Sequence, residues 1–182
     1  DLAAQDYSAT IQSMTDDTKA KTDRAAMIQR RTERNRIAQT KTVLGIERAV
    51  LGCDYGSTSW TTRQEADKVS ALLELAPGKR LLDIGSGAGW PGLYLARVSG
   101  CDATLLDLPV EGLRTAISRA ASDNSGGAIS AVAGDGTALP FTPGAFDAVS
   151  QSDVLCCLAE KDEALRACRW VLRPGGKMVF TV

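Results

Sequence analysis

The stretch Leu81–Ala96, LLDIGSGAGWPGLYLA, decides the fold. It runs a short apolar segment into an acid, Asp83, then sets glycines at 85, 87 and 89, then resumes apolar residues at helical spacing. That order is a strand, a tight corner and a helix. Gly85, Gly87 and Gly89 spell GxGxG, whereas Gly87, Gly89 and Gly92 spell GxGxxG, and the two spellings suit different ligands. A GxGxxG corner lets bare backbone and a helix N-terminus meet a diphosphate. A carboxylate on the strand tip two residues earlier would repel that anion, so Asp83 favours a ligand with positive charge.

Outward from this corner the same grammar repeats. Upstream, TRQEADKVSALLELAPG (62–78) places Ala66, Val69, Leu72 and Leu73 on one helical stripe and ends in Pro-Gly. Downstream, ATLLDLP (103–109) reads as a strand, VEGLRTAISRAASDN (110–124) as a helix, and AISAVAGD (128–135) and FDAVSQS (146–152) as strands. DEALRACRWVLRPGG (162–176) is a helix with an abrupt stop, and KMVFTV (177–182) is a fifth strand. Strands alternating with helices of this length predict right-handed βαβ units, hence a doubly wound parallel sheet in an α/β fold. Ligands of such sheets bind beyond the carboxyl ends of the strands. The loops after Asp83, Asp107, Gly134 and Ser150 all open on that edge.

A chain of 182 residues, 44% apolar, buries one substantial core with an appendage. The net charge of −1 gives no reason to expect nucleic acid or an anionic membrane as partner. No apolar run approaches the roughly 20 residues of a membrane span. The start, DLAAQDYSAT, lacks the basic-then-apolar order of a secretory signal, and a cytoplasmic location is the expectation. Cys53, Cys101, Cys156, Cys157 and Cys168 are odd in number and without CxxC spacing, in a chain with no histidine. Neither a disulfide framework nor a metal site is expected, and the thiols should be reduced and mostly buried. Without histidine, any proton transfer must use Asp, Glu, Tyr, Lys or Cys, or be unnecessary.

Residues 1–63 form an N-terminal helical arm or lid, and 64–182 the ligand-binding domain. The arm carries ten Lys or Arg against eight Asp or Glu, seven of the basic ones between Lys19 and Arg36. Asp23 and Glu33 interrupt that run and no aromatic residues interleave, so a solvated face is favoured over a nucleic-acid surface. TDRAAMIQRRTERNRIAQT (22–40) reads as a solvated helix or a loosely attached arm. KTVLGIERAVLG (41–52) places Val43, Leu44, Glu47, Val50 and Leu51 on one helical face, with Gly52 as its stop.

Taken together, an acid before GxGxG, an acid closing the second strand and GDGTALPF after the third resemble, in order, the class I S-adenosylmethionine-dependent methyltransferases. The resemblance covers roughly residues 62–182 and implies a Rossmann-like domain that transfers a methyl group from S-adenosylmethionine to a small-molecule acceptor. It implies that Asp83, Gly85, Ser86, Gly87 and Gly89 wrap the methionine end of the cofactor. Asp107 would accept both ribose hydroxyls, as two carboxylate oxygens face two donors. Leu108 would lie against the adenine, Asp135 would accept from its amino group, the Gly136 backbone would meet the ring, and Ser150 and Gln151 would reach the methionine end. On this reading Asp83, Asp107 and Asp135 surround one cavity. Gly175 and Gly176 resemble the family's turn into the fifth strand.

Each assignment has a plainer alternative. Asp107 and Asp135 could be turn formers. Asp153 is the candidate general base but equally a cap for the helix that VLCCLAEK begins. Tyr55, Trp60 and Arg63 are candidates for substrate contact, Tyr55 for a catalytic role; Trp60 could instead be core. Trp90 could line the pocket or pack beneath it. Cys156 and Cys157 stand where many small-molecule relatives show histidine, and are expected to be packing residues. The family's sheet carries two more strands after KMVFTV, so the domain reads as incomplete. An exposed fifth-strand edge or the N-terminal helices could then pair with a second copy. Two other functions stay open: a cofactor-binding module without catalysis, and an NAD-dependent oxidoreductase using GxGxxG.

Overall fold

The computed structural model describes residues 23–123 and 126–181. Lys19, Lys21 and the rest of the arm before residue 23 lie outside the described residues. Helix α1 covers 23–38, α2 Lys41–Leu51 and α3 Arg63–Leu73. There follow β1 Arg80–Ile84, α4 Gly92–Ser99, β2 Asp102–Asp107, α5 Val110–Ser122, β3 Ile129–Ala133, β4 Phe146–Ser152, a 3-10 turn Leu155–Cys157, α6 Lys161–Val171 and β5 Leu172–Thr181. All strand pairs are parallel and the order is β3-β2-β1-β4-β5. The order reverses between β1 and β4, which opens a crevice beyond their carboxyl ends. The doubly wound parallel sheet with an N-terminal helical extension is therefore present.

The continuous apolar runs of the strands are explained by cover on both faces. Alternate side chains of a strand point to opposite sides. Leu81, Leu105 and Ala148 meet Ala66, Val69, Leu73 and Leu95 of α3 and α4. Leu82, Ile84, Leu106 and Val149 meet Cys168 and Val171 of α6. The same parity carries Asp83 and Ser150 to the α4 face and Gln151 to the α6 face. Helix α3 starts on a capping box in which Thr62 and Glu65 exchange hydrogen bonds, and it buries Ala66, Val69 and Leu73. Leu72, expected on that stripe, is exposed.

Helix α2 departs from its expected face. Val50 is exposed and the one buried residue of the helix is Glu47. Its carboxylate accepts from Gly56 N at 2.6 Å, Ser57 N at 3.1 Å and Ser57 Oγ at 2.8 Å. The acid sits on an apolar-looking face because a loop lays its backbone donors there, and a buried carboxylate so bonded is satisfied. This ties down a loop whose Cys53 and Tyr55 belong to the core shared with α3 and α4. Beside Glu47, the Cys53 thiol is pushed up to about 12, chiefly by burial.

Strand β5 begins irregularly. Leu172 pairs with Phe146, and pairing resumes only at Ala148 and Lys177. The intervening RPGG forms a bulge opposite Asp147, with Gly175 at φ 76°, consistent with a turn role for that glycine. Among the described residues no helix is long and apolar enough to cross a membrane.

Candidate functional site

Two cavities of about 430 and 530 Å³ open at the crevice and meet along Arg31, Gly85, Asp107, Val154 and Cys157. The floor is the corner after β1. Gly85 and Ser86 both donate to Leu106 O, at 2.7 and 3.2 Å, so the loop is sewn to β2. Gly85, Gly87 and Gly89 have φ of 72°, 50° and 101°, a conformation that side chains other than glycine rarely adopt. That is why three glycines stand here. The Ser86 hydroxyl is buried on the wall of the first cavity and has no hydrogen-bond partner among the described residues. A buried orphan hydroxyl facing a cavity is a position that a ligand donor or acceptor would satisfy.

Asp107, at the tip of β2, borders both cavities. Its Oδ2 accepts from Gly87 N and its Oδ1 from Leu108 N, each at 2.7 Å. Burial pushes this carboxyl above its ordinary range despite those bonds. Each oxygen keeps a lone pair for a further donor. Asp135, Leu108 and Gly136 line the second cavity with it. Asp135 Oδ1 accepts from Thr137 N at 2.9 Å and Thr137 Oγ1 at 2.8 Å, the turn-former geometry weighed from sequence. Its Oδ2 faces Arg24 Nη2 of α1 at 3.0 Å. Burial raises this carboxyl, but the Thr137 bonds and the Arg24 cation outweigh it and hold it below the usual range.

Asp83 does not line either cavity. Strand parity turns it under α4, where Oδ1 accepts from Ser150 Oγ at 2.6 Å and Oδ2 from Gly92 N at 3.1 Å. The expectation that three acids surround one cavity therefore holds for Asp107 and Asp135 only. Desolvation pushes the Asp83 carboxyl up to about 7, so near neutral pH it is only partly charged. Its hydrogen bonds anchor the start of α4 and Ser150, and it presents no carboxylate oxygen to either cavity. A carboxyl with a folded pKa above its unfolded value binds more protons when folded, so stability falls as pH rises between about 4 and 7. Asp83→Asn is expected to remove that part of the fall, read from denaturant midpoints of the two proteins across the window; parallel curves would contradict it.

Ser150 and Gln151 also lie away from the cleft. Ser150 is spent on Asp83, and Gln151 Nε2 donates to Cys168 Sγ at 3.3 Å across the opposite face. Their neighbours Ser152 and Asp153, past the strand end, line the first cavity instead. Asp153 sits at φ 56°, and its Oδ2 accepts from Ser59 Oγ and Trp60 N, each at 2.7 Å. It caps no helix: the turn Leu155–Cys157 has no side-chain cap. It clasps the arm to the sheet.

Tyr55 is 5% exposed, its ring tilted against Trp90 with centroids 5.1 Å apart and the Arg119 guanidinium 4.6 Å from its centre. These contacts hold it in the core, outside the lining of either cavity. Trp90 packs beneath the loop, donating from Nε1 to Thr61 O at 2.8 Å, and also borders the first cavity. Trp60 is 76% exposed, which excludes the core reading, and lies on the cavity rim. Arg63 donates to Tyr94 Oη at 3.3 Å. Cys156 and Cys157 are exposed on the cavity wall, so the expectation of packing residues is overturned. A 3-10 turn exposes both side chains where a full amphipathic helix would have buried one. Sequence reading missed the contribution of α1, whose Arg31, Arg34 and Asn35 close the first cavity from above. Their only signal was the basic run, which from sequence reads as a solvated face.

A family model described as "Methyltransferase domain" matches residues 82–180. The chain is 36% identical over 124 residues to a demethylmenaquinone methyltransferase of Renibacterium salmoninarum, covering 68% of this chain and 48% of that protein. It is 28% identical over 108 residues to methyltransferase GfsG of Streptomyces halstedii, covering 59% of this chain and 39% of that one. Among solved structures, the [4+2]-cyclase SpnF superposes with a TM-score of 0.59 at 31% identity, covering 64% of this chain and 43% of that one. The chain spans about half or less of the length of the relatives it matches.

Proposed function

Because the chain belongs to the methyltransferase-domain family, we propose that its crevice binds S-adenosylmethionine and delivers the methyl group to a small-molecule acceptor. The observation that carries this reading is the joint placement of Asp107 and the unpartnered Ser86 hydroxyl on a corner whose backbone is left bare by glycine. The residues present fit the group. Asp107 would take the ribose hydroxyls with the lone pairs left over from Gly87 and Leu108. Leu108, Asp135 and Gly136 would receive the adenine in the second cavity, under the cover of Arg24. Gly85, Ser86 and Gly87 would hold the methionine end in the first. When bound, the cofactor supplies a methyl group on a sulfonium, whose leaving group is already activated.

What remains for the protein is alignment and exclusion of water, and positioning of this kind can supply on the order of 7 to 11 kcal/mol. Arg31, Arg34 and Asn35 from above, with the 57–60 loop from the side, wall the space where an acceptor would stand. Besides Asp107, Asp153 is the carboxylate that lines this cavity among the described residues, but its Oδ2 already accepts two hydrogen bonds, so it is better suited to holding the wall shut than to taking a proton. A chain without histidine is compatible with a transfer that needs no strong base.

The similarity to a [4+2]-cyclase keeps a second reading in view, a domain of this fold that binds the nucleoside without transferring methyl. Calorimetric titration with S-adenosylmethionine, S-adenosylhomocysteine and NAD separates the cases. Binding of the first two, with turnover on a panel of small acceptors, is expected. Binding without turnover would favour the module, and binding of NAD alone would reverse the assignment.

A further inference from the structure

Three of the five cysteines are buried, and the two that are exposed stand side by side on the cleft wall. The Cys156 and Cys157 sulfurs are 3.7 Å apart, and both thiols are directed at Asp153 O, at 3.5 and 3.7 Å. Cys157 borders both cavities. Bonds of about 2.3 Å, the sulfur distance of a soft metal centre, allow two sulfurs on one atom to stand at most about 4.6 Å apart. The pair lies inside that limit, and side-chain rotation supplies the small further approach that a pyramidal centre needs.

The surroundings decide which soft centre fits. A structural zinc needs four donors and a catalytic one three. Among the described residues no group of three His, Cys, Asp or Glu could hold a metal ion, and the chain has no histidine. The hydrogen bond between the two thiols, with some burial, holds the Cys156 thiol above its ordinary range, so a cation that binds thiolates must first displace its proton. A centre that condenses with neutral thiols and needs only two of them has no such obstacle.

We infer that Cys156 and Cys157 form a two-thiol site on the acceptor wall of the cleft for a monosubstituted trivalent arsenical, a thiophilic centre with two exchangeable oxygen ligands. The step balances without a redox partner. In R–As(OH)2 + 2 Cys–SH → R–As(S–Cys)2 + 2 H2O, two As–O and two S–H bonds break and two As–S bonds form. The protons leave in two waters, and arsenic stays trivalent. The inference rests on the geometry of the cleft wall and stands independently of the methyl donor.

The test uses the full chain, reduced with a phosphine, and phenylarsine oxide as probe. Thiol counting under native conditions should find two reactive thiols, and both should disappear as one arsenical adds per chain by intact mass. The adduct should survive a monothiol wash and be stripped by a dithiol. Cys156→Ser and Cys157→Ser should each lower retention of the probe at least a hundredfold, with far-UV circular dichroism and thermal midpoint confirming that the fold persists. An adduct that persists on the double variant overturns the site, as does failure of the reduced wild-type chain to capture the probe. S-adenosylhomocysteine titrated in parallel keeps the two readings apart: its failure to bind while the adduct forms sinks the proposed function alone.

Discussion

Replacing Gly112 with alanine is expected to weaken S-adenosylhomocysteine binding at least tenfold and to lower the thermal midpoint by several degrees. Gly112 lies in the first turn of α5, against the underside of the glycine corner. An added Cβ would stand 2.7 Å from Gly87 O, 2.8 Å from Gly87 C and 2.9 Å from Asn35 Nδ2. Two of those three atoms are backbone, which cannot rotate aside as the tip of a side chain can. Overpacking at such a contact costs about 1 to 3 kcal/mol, and a chain of this size loses about 2 to 4 °C per kcal/mol. The shift would not be confined to stability, because the displaced atoms belong to Gly87, whose N–H is held by Asp107. Calorimetry and a thermal melt on the same protein check both effects. Full affinity with a lowered midpoint would mean that the corner absorbs the push without consequence for the ligand.

Asp107→Ala is expected to weaken binding of S-adenosylmethionine and S-adenosylhomocysteine by about 1 to 3 kcal/mol, the usual loss for charge-assisted hydrogen bonds. At about 1.4 kcal/mol per tenfold, that is roughly 5- to 150-fold in the dissociation constant. Two losses combine in it: the acceptors for the ribose, and the anchors for the N–H groups of Gly87 and Leu108. Asp107→Asn separates them, since an amide keeps one acceptor and the shape but gives up the charge. An intermediate loss for asparagine is expected. An unchanged dissociation constant in the alanine variant would remove Asp107 from the cofactor's contacts.

Much of the fold was legible because its signals are local. Each strand of the sheet announces itself as an apolar run closed by a polar tip, and each glycine of the corner stands where backbone conformation demands it. The acids at 107 and 135 were legible for the same reason, since the loops that follow parallel strands open on the crevice. Asp83, Ser150 and Gln151 lie near the same edge of the sheet, close to the ends of β1 and β4, yet they face away from the crevice. Which side a residue near a strand end faces depends on the parity of its strand and on what is packed there. Beneath Asp83 the structure has set the Gly92 N–H and the Ser150 hydroxyl. Glu47 repeats the lesson on a helix, where a loop distant from its own turn supplies the donors that make a buried acid tolerable.

By itself, then, the sequence determined the order of strands and helices, the parallel sheet and the crevice at its carboxyl edge, because hydrophobic period and glycine geometry act over a few residues. Only the tertiary structure decided which polar groups face that crevice. It hid Asp83, turned Ser150 and Gln151 inward, brought Arg24 onto Asp135 and exposed Cys156 and Cys157. The partner that satisfies a polar side chain is chosen by packing between segments far apart in the chain, and no local pattern encodes it.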